Sequence, residues 1–217
     1  FSLKWLEKYT KTDMIYLVKG GFWTTLSQII LSSATFLLVV AWAHFVSKET
    51  YGQYKYVLSV MNLLGILTLS GIGTALLNSI ISGFEGTLYY AFWQNIKWSA
   101  LLFFSAFGIS IYYFLQGNNF LGISILVGGS VWPFLTSVNY YGTFLFAKKD
   151  FRRNVIYFDI IGNLFPYTCL FMTMFLTDNP AWFVIIYFFS NLLIGFILYR
   201  RTVSIYKPNE KIDKGLI

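Results

Sequence analysis

Asp159 stands in a run almost free of other charges, with Asn163 one helical turn on and Pro166 nearly a turn beyond that. A carboxylate in hydrocarbon is costly, and it is kept where it serves a proton, a cation or a basic partner. Asp159 is therefore the candidate ion-coupling residue, and an ion pair with the basic residues at 148–153 is the competing reading. Pro166 removes one backbone hydrogen bond and leaves the carbonyl near position 162 free, so a kink is expected. Thr24, Gln28, Ser32 and Thr35 follow one another at spacings of four, four and three, which puts them on one helix face. Such a face can wall a hydrated cavity, or its hydroxyls can bond back to the backbone. Gln28 is the hardest of them to satisfy locally.

Further polar groups lie in the apolar runs. Asn62, Gly65, Gly71, Gly73 and Asn78 share one run, where the glycines allow close helix approach and bending. Trp132 and Pro133 precede Ser137, Asn139, Tyr140 and Thr143 in another. The substrate-cavity candidates are Gln28, Ser32, His44, Gln53, Lys55, Asn62, Asn139 and Asn163. His44 is the only histidine, and no second metal ligand lies near it in sequence, so no metal site is expected. There is no phosphate-binding glycine loop and no other soluble-enzyme motif. No cofactor and no enzymatic activity are expected.

These residues must be positioned inside a membrane. Apolar residues make up 57% of the chain and charged residues 12%, and mean hydropathy is +0.62. A soluble domain carries about 25% charge, so the class is an integral membrane protein. The net charge of +7 is spread between apolar runs rather than along one polar face, which argues against nucleic acid. Cys169 is the single cysteine, so no internal disulfide can form, and its apolar surroundings suit an inert thiol.

Gaps between charges set the spans. Residues 20–47 and 56–84 carry no formal charge and hold one span each. Residues 98–147 and 154–199 are too long for one span, since a helix crosses the core in about 20 residues. Turn signals divide both, "QGNNF" at 116–120 and "TDNPAW" at 177–182. The expected fold is all-α, with six transmembrane helices at approximately 22–45, 55–80, 92–115, 120–146, 155–176 and 181–199. A transmembrane barrel would alternate in segments of about ten residues, and these runs are continuous.

Basic residues set the orientation. Fourteen of the sixteen, including the "AKKDFRRN" cluster at 147–154, fall on one side of this layout, and only Lys48 and Lys55 on the other. Both termini are then expected to be cytoplasmic. Residues 1–19 form a cytoplasmic amphipathic N-terminus, 20–200 the six-helix lobe, and 201–217 a basic tail or interlobe linker. The aromatic stretch 83–98 is expected to lie at the interface as a lead into the third helix. "SKETYGQYKYVLSV" (47–60) is expected to open with a tight external turn, Gly52 taking positive φ.

Residues 18–76, "VKGGFWTTLSQIILSSATFLLVVAWAHFVSKETYGQYKYVLSVMNLLGILTLSGIGTAL", resemble the N-terminal region of polysaccharide, or O-antigen, flippases. These belong to the exporter superfamily shared with multidrug antiporters and lipid II flippases. The resemblance rests on Gly20 and Gly21, on the run Glu49, Thr50, Tyr51, Gly52, Gln53, Tyr54, and on Gly71 and Gly73. "FAKKDFRRN" is similar to the basic turn of that family. His44 departs from it, since an arginine is frequent there.

The resemblance implies that the chain is the N-terminal lobe of a two-lobe transporter in the inner membrane of a bacterial or archaeal cell. It implies alternating access for a polyprenyl-diphosphate-linked oligosaccharide, with membrane lipids and a second six-helix lobe as partners. A cation-coupled small-molecule or drug antiporter of the same superfamily is the alternative. A membrane-embedded polysaccharide polymerase or glycosyltransferase, or a non-transport scaffold, is the second.

Overall fold

The computed structural model describes residues 14–68 and 71–213. The amphipathic N-terminus expected over 1–19 lies mostly outside them, as does the end of the tail. The described residues are helical, with no strand among them. The order is α1 (Met14–Phe45), α2 (Lys48–Gly65), α3 (Ile72–Ile81), α4 (Thr87–Trp98), α5 (Ala100–Leu115), α6 (Asn119–Val138), α7 (Tyr140–Ala147) and α8 (Phe151–Asn154). A π-helical segment (Val155–Ile161), α9 (Gly162–Met174) and α10 (Pro180–Tyr206) follow.

Five stretches are long and apolar enough to cross a membrane: Gly20–Phe45, Thr87–Leu115, Asn119–Ala147, Phe151–Met174 and Pro180–Tyr206. The remaining expected span, 55–80, is not one helix. It breaks between α2 and α3, where Thr68 Oγ1 donates to the Gly65 carbonyl at 2.6 Å. Glycine is the weakest helix former after proline, and Gly65 and Gly71 flank the break. A β-carbon on Gly65 would sit 3.1 Å from Trp132 Nε1, so the chain approaches α6 closely there.

Local chemistry corrects other boundaries. The turn between α1 and α2 is shorter than expected, because Ser47 caps α2 by accepting from the Thr50 N–H at 3.2 Å. Gly52 therefore lies inside α2, and among the described residues the glycines with positive φ are Gly83 and Gly117. The 83–98 stretch is largely α4, which runs almost directly into α5 through Ser99. The fifth expected helix is irregular before Pro166 rather than at it, with the π segment in its first half. The last helix continues to Tyr206 and ends on Lys207 in the left-handed conformation. Both turn signals act as expected. Asn118 caps α6 after Gly117, and Asn179 caps α10 with Pro180 in its first turn.

The helices pack through apolar clusters and small residues. Trp42, Tyr54, Met61, Leu102, Ile125, Phe183 and Phe188 form one cluster. Leu76, Leu88 and Phe144 form a second cluster, and Tyr141, Leu145 and Leu198 a third. A β-carbon on Gly129 would lie 2.4 Å from Ala106 Cβ, so α5 and α6 meet nearly backbone to backbone.

At the basic end the tail folds back on the α3–α4 loop. The Gly86 N–H donates to the Lys211 carbonyl at 3.0 Å. Asn209 accepts from the Glu85 N–H at 3.2 Å and donates to the Gly83 carbonyl at 3.1 Å. Glu85 pairs with Lys148 and accepts from the Asn209 N–H at 3.2 Å. Burial works against the Glu85 charge, but the Lys148 and Asn209 hydrogen bonds outweigh it and hold the carboxyl below its ordinary range.

Candidate functional site: uncovered polar faces on α1 and α2

α1 has three faces. Gly20, Ser27, Ala41 and Trp42 form a buried stripe, and the helix packs along α8, the π segment and α9. Phe22, Ile29, Phe36 and Val40 are exposed on the apolar side. Thr24, Gln28, Ser32 and Thr35 are exposed on a third face, about a quarter-turn from the buried stripe at 100° per residue. Thr24 is satisfied by the Gly20 carbonyl at 2.8 Å.

α2 carries a matching stripe. Thr50, Tyr54, Val57, Met61 and Leu64 are buried. Lys48, Gly52, Lys55, Ser59 and Asn62 are exposed, at spacings of four, three, four and three, on the opposite face. The Lys55 ammonium lies 5.6 Å from the Tyr51 ring centroid. Thr74 and Asn78 carry exposed polar groups onward along α3.

The two helices join at one end. Trp42 stacks on Tyr54 with centroids 5.0 Å apart and packs on Phe183 at 4.6 Å. Thr50 Oγ1 donates to the Asp178 carbonyl at 2.7 Å, and the Ser47 N–H to Asp178 Oδ1 at 3.1 Å. From this junction they part: α1 follows α9, whereas α2 packs on α5, α6 and α10.

Asp159 lies in the π segment. Its carboxylate lies near Ser27 of α1, whose hydroxyl donates to the Thr24 carbonyl at 2.9 Å. Of the basic residues at 148–153, Arg153 pairs with Asp150 at 3.4 Å and Lys148 with Glu85. Asn163 is a local brace, since its Nδ2 donates to the Asp159 carbonyl at 2.8 Å and the Phe158 carbonyl at 3.2 Å. The Tyr141 hydroxyl donates to the Tyr157 carbonyl at 3.4 Å. These bonds serve carbonyls that a π turn leaves poorly matched.

A cavity of about 310 Å³ opens beside the π segment, between α3 and α7, with Gly73, Thr74, Gly142, Thr143, Asn154 and Phe158 in its wall. The Asn154 Oδ1 is buried without a hydrogen-bond partner. Leu77, Phe146 and Phe158 make most of the wall apolar, and the Thr74 and Thr143 hydroxyls and the Asn154 amide are its polar groups.

The sequence-derived candidates do not form one cluster. Gln28 and Ser32 lie on the α1 face, and Lys55 and Asn62 on the α2 face. His44 is exposed near the junction with its ring against Phe45. Gln53 bonds Glu49 at 3.4 Å within α2. Asn139 is exposed where α6 gives way to α7. Three polar residues escaped the sequence reading: Ser27, Asn154 and Asn95. Asn95 is buried and donates to Thr136 Oγ1 at 2.8 Å and Ser137 Oγ at 2.9 Å, tying α4 to α6. Its signal in the sequence is an amide two residues before Lys97 in the aromatic stretch expected at the interface.

No curated protein and no solved structure matches the chain. The family model described as "Polysaccharide biosynthesis protein" matches residues 17–217, which takes in every helix from α2 to α10, both polar faces and the π segment. A multi-helix apolar chain matched over nearly its whole length in this way belongs to the polysaccharide biosynthesis protein family.

Proposed function

We propose that this chain is one lobe of a transporter that carries a polyprenyl-diphosphate-linked oligosaccharide across the inner membrane by alternating access. The observation that carries this reading is the pair of uncovered polar faces, Gln28, Ser32 and Thr35 on α1 and Lys55, Ser59 and Asn62 on α2. Polar side chains turned toward hydrocarbon cost free energy, so they belong against water or another polar surface. A second six-helix lobe facing α1 and α2 would enclose them in a wet cavity able to take sugars. The hydroxyls and amides suit sugar hydroxyls, and Lys55 is the cation available to a phosphate. Both termini are cytoplasmic in this reading, and the break between α2 and α3 and the π segment at 155–161 supply local compliance for rocking. Asp159 is the coupling carboxylate, and the lobe performs no bond chemistry.

The test uses the full-length native protein in proteoliposomes with a labelled polyprenyl-diphosphate oligosaccharide on one leaflet. Exposure of the sugar to an external glycosidase should rise with time. If the combined Gln28→Ala, Lys55→Ala and Asn62→Ala protein translocates at the wild-type rate, these faces do not line the path. Transport of small amphipathic cations without the lipid-linked sugar would favour the antiporter.

A further inference from the structure

We infer that the groove between α4, α6 and α10 is a binding site for an anionic glycerophospholipid, with one acyl chain in the groove and its phosphate on Arg200. The groove encloses about 590 Å³ and is open along one side. Phe92 and Trp93 of α4, Phe134 of α6, and Phe189, Leu193 and Phe196 of α10 line it. Its wall is almost wholly carbon, so the occupant is an apolar chain. From Phe189 to Phe196 the wall runs about 10 Å along α10 at 1.5 Å per residue.

Chemistry changes abruptly at one end. The Arg200 guanidinium lies 5.6 Å from the centroid of Phe196, a groove residue. The Phe92 and Tyr199 rings, 5.6 Å apart, flank the same end. Arg201 turns the other way, 5.4 Å from the Tyr157 ring, and does not serve the groove. Arg200 is exposed and lies toward the Tyr206 end of α10, where Arg153, Asp150 and Lys148 also gather. An apolar track ending at a guanidinium matches a chain that ends in a phosphate. Arginine binds phosphate oxygens bidentately, and anionic lipids collect at basic sites on the cytoplasmic face.

The helical register separates this groove from the polar faces. Phe189, Leu193 and Phe196 lie about half a turn around α10 from Val184, Tyr187 and Phe188. That second set packs toward α2, with Tyr187 and Tyr54 centroids 6.1 Å apart. α10 and α6 thus stand between the groove and the α2 stripe. A lipid there is a resident lipid rather than the carried molecule, so the inference does not depend on the transport reading.

Trp93 supplies the probe, because bromine on an acyl chain quenches a nearby indole. The full-length protein would be reconstituted with brominated phosphatidylglycerol or brominated phosphatidylcholine, the Trp93 signal being the difference between wild type and Trp93→Phe. That signal should be half-quenched at a several-fold lower fraction of phosphatidylglycerol. Arg200→Gln should merge the two curves, Arg200→Lys should bring them closer, and Arg201→Gln should leave them apart. Equal quenching by both lipids in the wild type would overturn the inference, as would a preference that survives Arg200→Gln. Relief of quenching by a polyprenyl phosphate but not by unbrominated phosphatidylglycerol would overturn it too, by assigning the groove to the carried lipid.

Discussion

The Trp42 indole lies stacked on the Tyr54 ring, 18° from parallel, at the point where α1 and α2 meet. Tyr51 and Phe183 complete its contacts, at 5.2 and 4.6 Å. This is where α1 and α2 are held together before they part, so both stability and relative orientation converge on it. Trp42→Ala should lower stability by about 3–5 kcal/mol, the usual cost of removing a buried aromatic, read from thermal unfolding in detergent. Trp42→Phe should keep most of that stability.

Ser27 is buried on α1, which packs on the π segment that carries Asp159. The Ser27 hydroxyl donates to the Thr24 carbonyl at 2.9 Å within the same helix, so Ser27→Ala should cost about 1 kcal/mol or less, read from thermal unfolding in detergent. If Asp159 couples transport to an ion, Asp159→Asn should leave a folded protein whose transport no longer follows the ion gradient. A gradient dependence retained in Asp159→Asn would remove that role.

Two glycines of α2 should respond oppositely to alanine. At Gly65 the new methyl would meet Trp132 Nε1 at 3.1 Å, whereas at Gly52 nothing lies within 4 Å. Gly65→Ala should cost about 1–3 kcal/mol through overpacking. Gly52→Ala should be neutral or stabilising by up to about 1 kcal/mol, because alanine is the better helix former. Unfolding temperatures of the two variants give the comparison.

The tail contact at the basic end should be sensitive to acid. Glu85 has a lowered pKa, so its contribution is present above its ordinary value near 4.5 and disappears as pH falls through the lower folded-state value. Hydrogen exchange at the Gly86 and Asn209 N–H groups should stay slow through the ordinary carboxylate range and quicken below it, after correction for intrinsic rates. Glu85→Gln should exchange fast throughout and lose the pH dependence.

The polar faces predict a labelling pattern. In a Cys169→Ser background of the full-length protein, Ser32→Cys and Asn62→Cys should react with a membrane-impermeant maleimide. Phe36→Cys, on the exposed apolar side of α1, should not. Equal reactivity at all three sites would contradict a wet face distinct from a lipid face.

The α1 polar face was legible before any coordinates, because the spacing of Gln28, Ser32 and Thr35 follows the helical repeat. The α2 stripe was harder to read, since Lys48 and Gly52 looked like turn residues. A capping hydroxyl from Ser47 converts that segment into helix. Asn163 looked like a cavity residue, yet its amide is used on carbonyls of its own irregular helix.

The sequence by itself determined the all-helical membrane class, the five long apolar stretches and the main turns. These follow from composition and from periodicities short enough to read along a chain. Tertiary structure alone decided that α1 lies along the π segment that carries Asp159, that the second helix breaks beside Trp132, and that Arg200 and Arg201 face different surroundings. Each depends on which helix lies alongside which, and neighbouring residues on a helix point about 100° apart. No local pattern carries that information, because the free energy that selects the partner comes from packing between segments far apart in sequence.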